Sequence, residues 1–341
     1  MKPIIAALLA ATAAAAAATA PGAPGAEKLF GNWAVACDNV KRCEATALMP
    51  ESWGGDEAPG LYVTREAGPA GAVTIAISPV AETPGLIDIL IDRRLMGSGV
   101  MRDGSVHLTG ATAEGMARAM ANGRVLTLRS HRKIIATLSL SGASAALRYF
   151  DAEQGRAGGL TALVAKGPKS AAAVPGAMAV PKVPAIRPGK GKAASFTAAE
   201  LDSLRTQSGC DTYFVSDWME PQFHRLDGHT TLLLIPCVAG AYQASYAAYV
   251  ATGGKIAPAP FDFPPGGGLT EKAPTLTEPE WDAEKGVLDA HAKGRGLGDC
   301  GVSQSWVWDG KRFRMTDFTA LNPCRLSGSW LTRYRAEAVY K

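Results

Sequence analysis

The side chains that could carry acid–base or metal chemistry lie in the second half of the chain. His224 and His229 are five positions apart, Asp217 and Glu220 precede them, and Asp299 follows a glycine-rich segment. A histidine beside a carboxylate can bind a metal ion or transfer protons. Neither spacing matches the ligand pattern of a structural metal site, so the sequence predicts no metal and no cofactor.

Common catalytic motifs are absent from the sequence. It contains no Gly-x-Ser-x-Gly turn, no Gly-x-Gly-x-x-Gly, no phosphate loop and no His-Glu-x-x-His. Ser303 and Ser305 have no neighbouring general base that the sequence identifies. The glycine-rich run at 294–298 precedes a predicted strand, so it lacks the helix N-terminus that would bind a phosphate. These observations favour a protein that is not an enzyme.

Two aromatic residues beside the histidines indicate a binding surface. Trp218 and Phe223 flank Pro221 in a stretch that we predict to be a surface loop. Exposed aromatic side chains often dominate the energy of a binding interface. The residues predicted to bind a partner are Trp218, Phe223, His224, Arg225 and His229. By contrast, Trp306 and Trp308 share one face of a predicted strand, which favours a place in the β core.

The six cysteines form three pairs of close neighbours along the chain. An even number without Cys-x-x-Cys, and without a Cys/His cluster, is typical of structural disulfides in an oxidising compartment. Joining nearest neighbours closes the shortest loops and has the lowest entropic cost. The predicted disulfides are Cys37–Cys43, Cys210–Cys237 and Cys300–Cys324.

The first 26 residues have the composition of a secretion signal. Lys2 precedes a mildly apolar run rich in alanine, and small residues follow at candidate cleavage positions. We predict residues 1–26 to be a signal peptide that is cut between residues 18 and 26. An uncleaved anchor is disfavoured because alanine is weakly apolar and prolines interrupt the run. No later stretch is long and apolar enough to span a bilayer, so the mature chain is predicted to be periplasmic without a transmembrane segment.

The formal net charge of +4 originates in one segment and not in a basic surface. Residues 167–197 contain five basic residues and no acidic one, and the rest of the mature chain is close to neutral. A nucleic-acid-binding protein needs a basic face on a folded domain. Nucleic acid is therefore not a predicted partner.

The same segment divides the chain. Residues 166–196 contain five prolines together with many alanines and lysines. This composition buries too little apolar surface to offset the entropy of ordering. We predict a disordered linker there, between a β-rich N-terminal domain at 27–165 and a β-rich C-terminal domain at 197–341. Each flanking part is long enough to form its own core.

Both parts are predicted to consist mainly of short antiparallel strands. In the first, alternating and β-branched segments surround short helices, of which one covers 113–121. In the second, Thr197 and Glu200 form a capping box for a helix that ends near Thr206. Asp309-Gly310 is typical of a two-residue hairpin turn. The fold class is mainly β with a few short helices, in two meander-like or sandwich-like domains.

Several motifs resemble those of a known family of exported proteins. The pattern Phe30-Gly31-x-Trp33-x-x-x-Cys37 is followed by Pro236-Cys237-x-x-Gly240-Ala241-Tyr242 and Gly298-Asp299-Cys300-Gly301. With Trp306-x-Trp308-Asp309-Gly310, they resemble the six-cysteine periplasmic family catalogued as domain of unknown function 1176. The first half also resembles, more weakly, the invasion-associated locus B proteins. The resemblance implies an exported envelope protein of unassigned activity and supplies no catalytic residues.

Two functions remain open from the sequence. The first is a non-enzymatic periplasmic protein that binds an unknown envelope protein or a small ligand. The second is a hydrolase of an envelope polymer, which would need two of the histidine and carboxylate side chains of the second domain to converge in a cleft. The near-neutral domains and the missing motifs favour the first.

Overall fold

The structure is a computed structural model that describes residues 22–55, 57–79, 85–210, 218–263, 265–266 and 272–341. Within these ranges the chain is mainly β with three short α-helices, which confirms the predicted fold class. None of the described helices is long and apolar enough to cross a membrane. Most of the predicted signal peptide and Asp217 lie outside the described residues.

The first half forms ten strands and two helices in its described residues. In chain order they are β1 (Lys28–Phe30), β2 (Trp33–Cys37), β3 (Cys43–Ala47), β4 (Gly60–Arg65), β5 (Val73–Ser78), β6 (Leu86–Ile91), β7 (Arg94–Val100), β8 (Val106–Thr109), α1 (Gly110–Asn122), β9 (Val125–Ser130), β10 (Lys133–Ser139) and α2 (Ala143–Glu153).

Two antiparallel sheets and two helices enclose the core of the first half. One sheet has the order β1-β2-β3-β4-β5-β8 and the other the order β10-β9-β6-β7. In β5, Val73, Ile75 and Ile77 are buried and alternate with less buried residues, as expected of a strand with one covered face. The helices pack on the same core through residues such as Met120 and Phe150.

The two helices of the first half have different N-cap residues. The N-cap of α1 is Thr109, so the helix starts earlier than the predicted 113–121. α2 follows Gly142, whose φ of 100° is left-handed. A Cβ on Gly142 would lie 1.8 Å from the backbone oxygen of Phe30. Only glycine therefore fits between this helix and β1.

The segment 166–196, for which the sequence predicts a disordered linker, contains a paired strand in the structure. Its strand β11 (Lys182–Ala185) pairs in parallel with β22 (Glu337–Tyr340) at the C-terminus. Val183 and Ala185 are buried against a sheet of the second half, while Lys182 and Pro184 are exposed. Burial against a distant part of the chain offsets the entropy of ordering, and local composition does not reveal such a partner.

The second half continues with one helix and ten strands in its described residues, before β22. They are α3 (Ala198–Ser208), β12 (Gln222–Arg225), β13 (Thr230–Ala239), β14 (Ala244–Thr252), β15 (Lys255–Pro258), β16 (Thr275–Thr277), β17 (Glu280–Asp282), β18 (Val287–Lys293), β19 (Gly301–Trp308), β20 (Phe313–Leu321) and β21 (Leu331–Arg335).

Two antiparallel sheets also form the core of this half. One has the order β12-β13-β14-β15, with β16 beside β14, and the other the order β17-β18-β19-β20-β21. Leu232 and Leu234 of the first sheet share a cluster with Trp306, Trp308 and Phe313 of the second. The two tryptophans thus lie in the core, as the alternation of their strand predicted.

Two local predictions in this half have different outcomes. The capping box of α3 is present, since the Thr197 hydroxyl accepts from the Glu200 amide and the Glu200 carboxylate accepts from the Thr197 amide. The β19–β20 hairpin has a four-residue loop, because Trp308 pairs with Phe313. The Asp309 carboxylate accepts two backbone N–H groups of this loop at 2.8 Å, so the predicted two-residue turn was wrong.

The two halves contact each other directly. Ala34 and Ala36 of β2 are buried against Leu321 and Leu331 of the second half. Nearby, the Arg335 guanidinium donates to the buried Asp38 carboxylate at 2.6 Å. The halves therefore share an interface of apolar and charged residues.

Three disulfides join neighbouring cysteines, as the spacing predicted. Cys37–Cys43 closes the β2–β3 hairpin, Cys210–Cys237 joins the end of α3 to β13, and Cys300–Cys324 joins the loops at one end of β19 and β20. The described residues contain no free cysteine. Each disulfide is expected to contribute about 2–4 kcal/mol to stability.

Candidate ligand-binding site

A cavity of about 300 Å³ opens at one end of the β12-β13-β14 sheet. We call it the Trp218 pocket. Its lining comprises Trp218, Gln222, Gly240, Ala241, Tyr242, Gln243, Ala244, Tyr246, Glu278 and Pro279. These residues come from the segment before β12 and its first residue, from the β13–β14 loop with the start of β14, and from the segment that follows β16. The pocket therefore combines three parts of the chain that are distant in sequence.

Hydrogen bonds fix the rim of the Trp218 pocket. The Ala244 amide donates to the Glu278 carboxylate, and the Glu278 amide donates to the Ala244 carbonyl at 2.8 Å. The Gln243 side chain donates to the Lys293 carbonyl at 3.0 Å and accepts from the Lys293 amide at 2.9 Å. The β13–β14 loop is thus tied to two neighbouring segments, so the pocket is largely preformed.

Two of the aromatic residues in this pocket are unusually exposed. Trp218 is 64% exposed and Tyr242 is 51% exposed, whereas Tyr246 is buried. Burial raises the pKa of the Tyr246 hydroxyl, so this group stays protonated and can donate a hydrogen bond. Large aromatic surfaces open to solvent, beside a neutral hydroxyl, provide both stacking and hydrogen bonding to a ligand.

The charge of the lining is negative. Among the described residues that line the pocket, Glu278 is the one acidic residue and none is Lys, Arg or His. The polar groups besides this carboxylate are amides and phenol hydroxyls. A lining of this kind does not attract a phosphate or a carboxylate, because it offers no cation to pair with either.

The chain matches one family model over nearly its whole length. The family is described as "Protein of unknown function (DUF1176)", and the match covers residues 27–337. The chain belongs to this family. The DUF1176 chain is also 28% identical, over 323 residues, to the "Uncharacterized protein YpfG" of Escherichia coli (strain K12). The alignment covers 88% of this chain and 89% of that protein. No solved structure matches the chain.

Of the five predicted binding residues of this DUF1176 protein, Trp218 lines the pocket and four do not. Phe223 lies on β12 with its ring 5.2 Å from that of Phe196, in a partly buried cluster. His224 points to the opposite side of the strand, where its ring lies 6.5 Å from that of Trp281. Burial lowers the pKa of His224, which favours the neutral imidazole.

The remaining two predicted residues lie around the β12–β13 turn. The Arg225 guanidinium donates to the Lys192 carbonyl at 3.1 Å and also to the Gly228 carbonyl. The exposed His229 donates its backbone N–H to the Asp227 carboxylate at 2.8 Å. Arg225 thus connects this turn to the segment before α3.

Asp299, the other candidate for acid–base chemistry, is held by hydrogen bonds to a guanidinium and to a backbone amide. Its carboxylate accepts from the Arg295 guanidinium at 2.7 Å and from the Leu326 amide at 2.6 Å. These contacts, above all that with Arg295, hold the pKa of Asp299 below its usual range. Asp299 lines a second cavity of about 300 Å³, together with Trp330 and with Ala58 of the first half. The two cavities have no lining residue in common.

One carboxylate that the sequence did not single out has a perturbed pKa. Asp317 lies on β20, directly across from Ser305 of β19, which in turn faces Asp289 of β18. The Ser305 hydroxyl donates a hydrogen bond to the Asp289 carboxylate. Burial, with a smaller contribution from Asp289, raises the pKa of Asp317 to about 6. No group of three or more metal-ligating side chains occurs among the described residues.

Of the residues that line the Trp218 pocket, Trp218 is the one that the sequence analysis proposed for binding. Tyr242 belongs to the family motif that ends in Gly240-Ala241-Tyr242. This motif is the sequence feature that could have indicated Tyr242. Tyr246 reads as an ordinary strand residue, and Glu278 lies far along the chain in an unremarkable loop. The register of β14 with β16 brings them together, since Ser245 pairs with Thr277.

Proposed function

We propose that this DUF1176 protein is an exported, non-enzymatic binding protein of the periplasm whose ligand site is the Trp218 pocket. The observation that carries the proposal is the exposure of Trp218 and Tyr242 on the wall of a preformed cavity. Aromatic side chains that line a cavity together with a few polar groups are typical of ligand-binding sites. The three disulfides support an oxidising, extracytoplasmic compartment.

The chemistry of the lining favours a neutral saccharide as the ligand. The apolar faces of sugar rings stack on aromatic side chains, and sugar hydroxyls need both donors and acceptors. Gln222, Glu278 and the hydroxyl of Tyr246 supply such groups around the two exposed rings. The lack of a cation among the described lining residues disfavours anionic ligands. A neutral oligosaccharide of an envelope polymer fits these properties.

The direct test is a titration of the full mature chain with neutral oligosaccharides, such as chitotriose and maltotriose. Calorimetry gives the affinity, and the indole N–H signals of the tryptophans in NMR spectra locate the site. We expect the Trp218 signal to shift and Trp218→Ala to weaken binding about tenfold or more, because stacking on an aromatic ring contributes on the order of 1 kcal/mol in addition to buried area.

The matched control is Trp53→Ala. Trp53 is also partly exposed, at 43%, and it does not line the pocket, so this variant should bind as the unmodified protein does. Equal binding by Trp218→Ala would place the ligand elsewhere. Binding of choline in preference to both sugars would identify a cation site. Shortened oligosaccharides after incubation would instead support the hydrolase alternative.

A further inference from the structure

On one face of the first half, large apolar side chains are exposed, and no segment within the described residues covers them. We call this surface the outer sheet face, meaning the solvent side of the sheet β10-β9-β6-β7. Five large apolar residues of this sheet are between 41% and 67% exposed. They are Leu86, Leu95, Val100, Val125 and Ile134. Monomeric proteins rarely expose so many large apolar residues on one surface.

The strand register places these residues on the same side of the sheet. Leu86 of β6 lies opposite Val100 of β7. Two residues further along β6, Asp88 lies opposite Arg129 of β9, which lies opposite Ile134 of β10. Since side chains alternate along a strand, the intervening residues of β6 and β9 point to the buried core, as their burial shows. The core covers one side of the sheet and leaves the outer face uncovered.

An ion pair lies at the centre of the outer sheet face. The Arg129 guanidinium donates to the Asp88 carboxylate at 2.8 Å, and the Ser98 hydroxyl donates to the same carboxylate at 2.7 Å. Asp88 and Arg129 lie on adjacent strands, β6 and β9, and both remain partly exposed. The centre of the face therefore has one negative and one positive group side by side, with the exposed Leu86 and Ile134 next to them.

We propose that the outer sheet face is the interface of a symmetric homodimer. A two-fold axis that runs between β6 and β9, parallel to the strands, stacks the face on that of a second copy. Asp88 then faces Arg129 of the second copy, and Arg129 faces its Asp88, so the charges match in both places. A symmetric interface requires this kind of self-complementarity, and the second copy covers the exposed apolar residues, as in two packed sheets.

The area of the outer sheet face limits the affinity of the dimer. Four strands of six or seven residues span roughly 20 Å by 20 Å, at about 4.8 Å between strands and about 3.3 Å per residue. This is small for a permanent dimer. We therefore expect reversible association with a dissociation constant on the order of 1–100 µM.

The first test follows the mass of the full mature chain by sedimentation from about 1 µM to about 1 mM, a range that brackets this affinity. We expect a monomer–dimer equilibrium that Ile134→Lys abolishes. Leu160→Lys is the matched control, because Leu160 is as exposed as Ile134 but lies outside this sheet. A monomer at every concentration, or a dimer that Ile134→Lys leaves intact, would overturn the proposal.

The second test uses charge reversal to separate this interface from any other. Asp88→Arg places two cations on each face and Arg129→Asp places two anions, so each variant alone should be monomeric. An equimolar mixture should form heterodimers, because every facing pair is then of opposite charge. Circular dichroism checks that each variant is folded. Self-association of either variant, or a mixture that stays monomeric, would contradict the two-fold arrangement.

Discussion

At the scale of single residues, burial decides the role of each side chain. Trp218 is exposed at a pocket, whereas Trp306 is fully buried in a core, although both are tryptophans of the second half. Asp299 and Asp317 differ in their electrostatic surroundings. Arg295 pairs with the first and lowers its pKa, while burial raises the pKa of the second to about 6. Residue type alone assigns none of these roles.

The raised pKa of Asp317 makes the stability of the protein depend on pH. Because the folded-state pKa of about 6 exceeds the usual value of 3.8, the native state binds the proton more tightly than the unfolded state. The contribution of Asp317 to stability is therefore fully present below pH 3.8 and is lost as pH rises through about 6. Asp317→Asn should raise the free energy of unfolding at neutral pH by on the order of 1–2 kcal/mol.

Denaturant unfolding of both proteins, compared near pH 4 and near pH 7, measures this effect. We expect the two proteins to differ near neutral pH and to converge at acidic pH. An Asp289→Asn variant serves as the comparison, since Asp289 contributes only part of the shift. The same stability difference at both pH values would show that the ionisation of Asp317 is not its cause.

At the scale of elements, β11 shows how a strand can form in a proline-rich segment. Pro184 has no N–H to donate, but an edge strand in a two-stranded pair tolerates this. Val183 and Ala185 alternate with exposed neighbours and pack against Val307 of β19. The Lys341 amide also donates to the Ala185 carbonyl at 3.1 Å. The segment between the halves thus stabilises the end of the chain.

Val183→Asp should release both β11 and β22. The substitution places a charge in a position that is 1% exposed, and a buried unpaired charge costs several kcal/mol. Limited proteolysis followed by mass spectrometry should then detect rapid cleavage between residues 175 and 190, which the unmodified protein resists. Met178→Asp is the control, since Met178 is exposed in the same segment. Equal cleavage of all three proteins would mean that the packing of β11 does not protect this segment from proteolysis.

At the scale of the whole molecule, polar contacts cross between the halves beside a small apolar cluster. Asn39 exchanges two hydrogen bonds with the backbone of Arg335, at 2.9 and 2.8 Å. The buried Glu44 carboxylate accepts from the Thr332 amide at 2.7 Å. The buried carboxylate of Asp38 also receives the Arg335 guanidinium. The sequence predicted two separate domains, and these contacts couple the predicted domains energetically.

Arg335→Ala should weaken this coupling. It leaves the Asp38 carboxylate buried without its cation, which costs about 3–5 kcal/mol for a fully buried pair; the partial exposure of Arg335 reduces this to about 1–3 kcal/mol. Differential scanning calorimetry should show a lower melting temperature and a broader or divided transition. Arg312→Ala, at an exposed position in the β19–β20 loop, should leave the transition unchanged. A single unshifted transition in Arg335→Ala would contradict the coupling.

Features that depend on neighbouring residues could be predicted from the sequence alone. The Thr197–Glu200 capping box, the cysteine pairs and the alternation of β5 and β19 each involve residues that are close along the chain or share one strand. The mainly β class follows from the same patterns. Such features form because contacts between residues close in sequence have a low entropic cost of loop closure. They can therefore be predicted without knowledge of the fold.

Features that depend on residues far apart in the chain could not be predicted from the sequence. Glu278 lines the same pocket as Trp218 because β14 pairs with β16. The strand β11 pairs with β22 at the other end of the second half. Arg335 forms an ion pair with Asp38, nearly 300 positions away in the sequence. The pKa of Asp317 likewise depends on burial among strands that meet only in the folded chain. Burial and electrostatic environment are properties of the packed molecule, and for that reason the pocket, the contact between the halves and the outer sheet face became visible only in three dimensions.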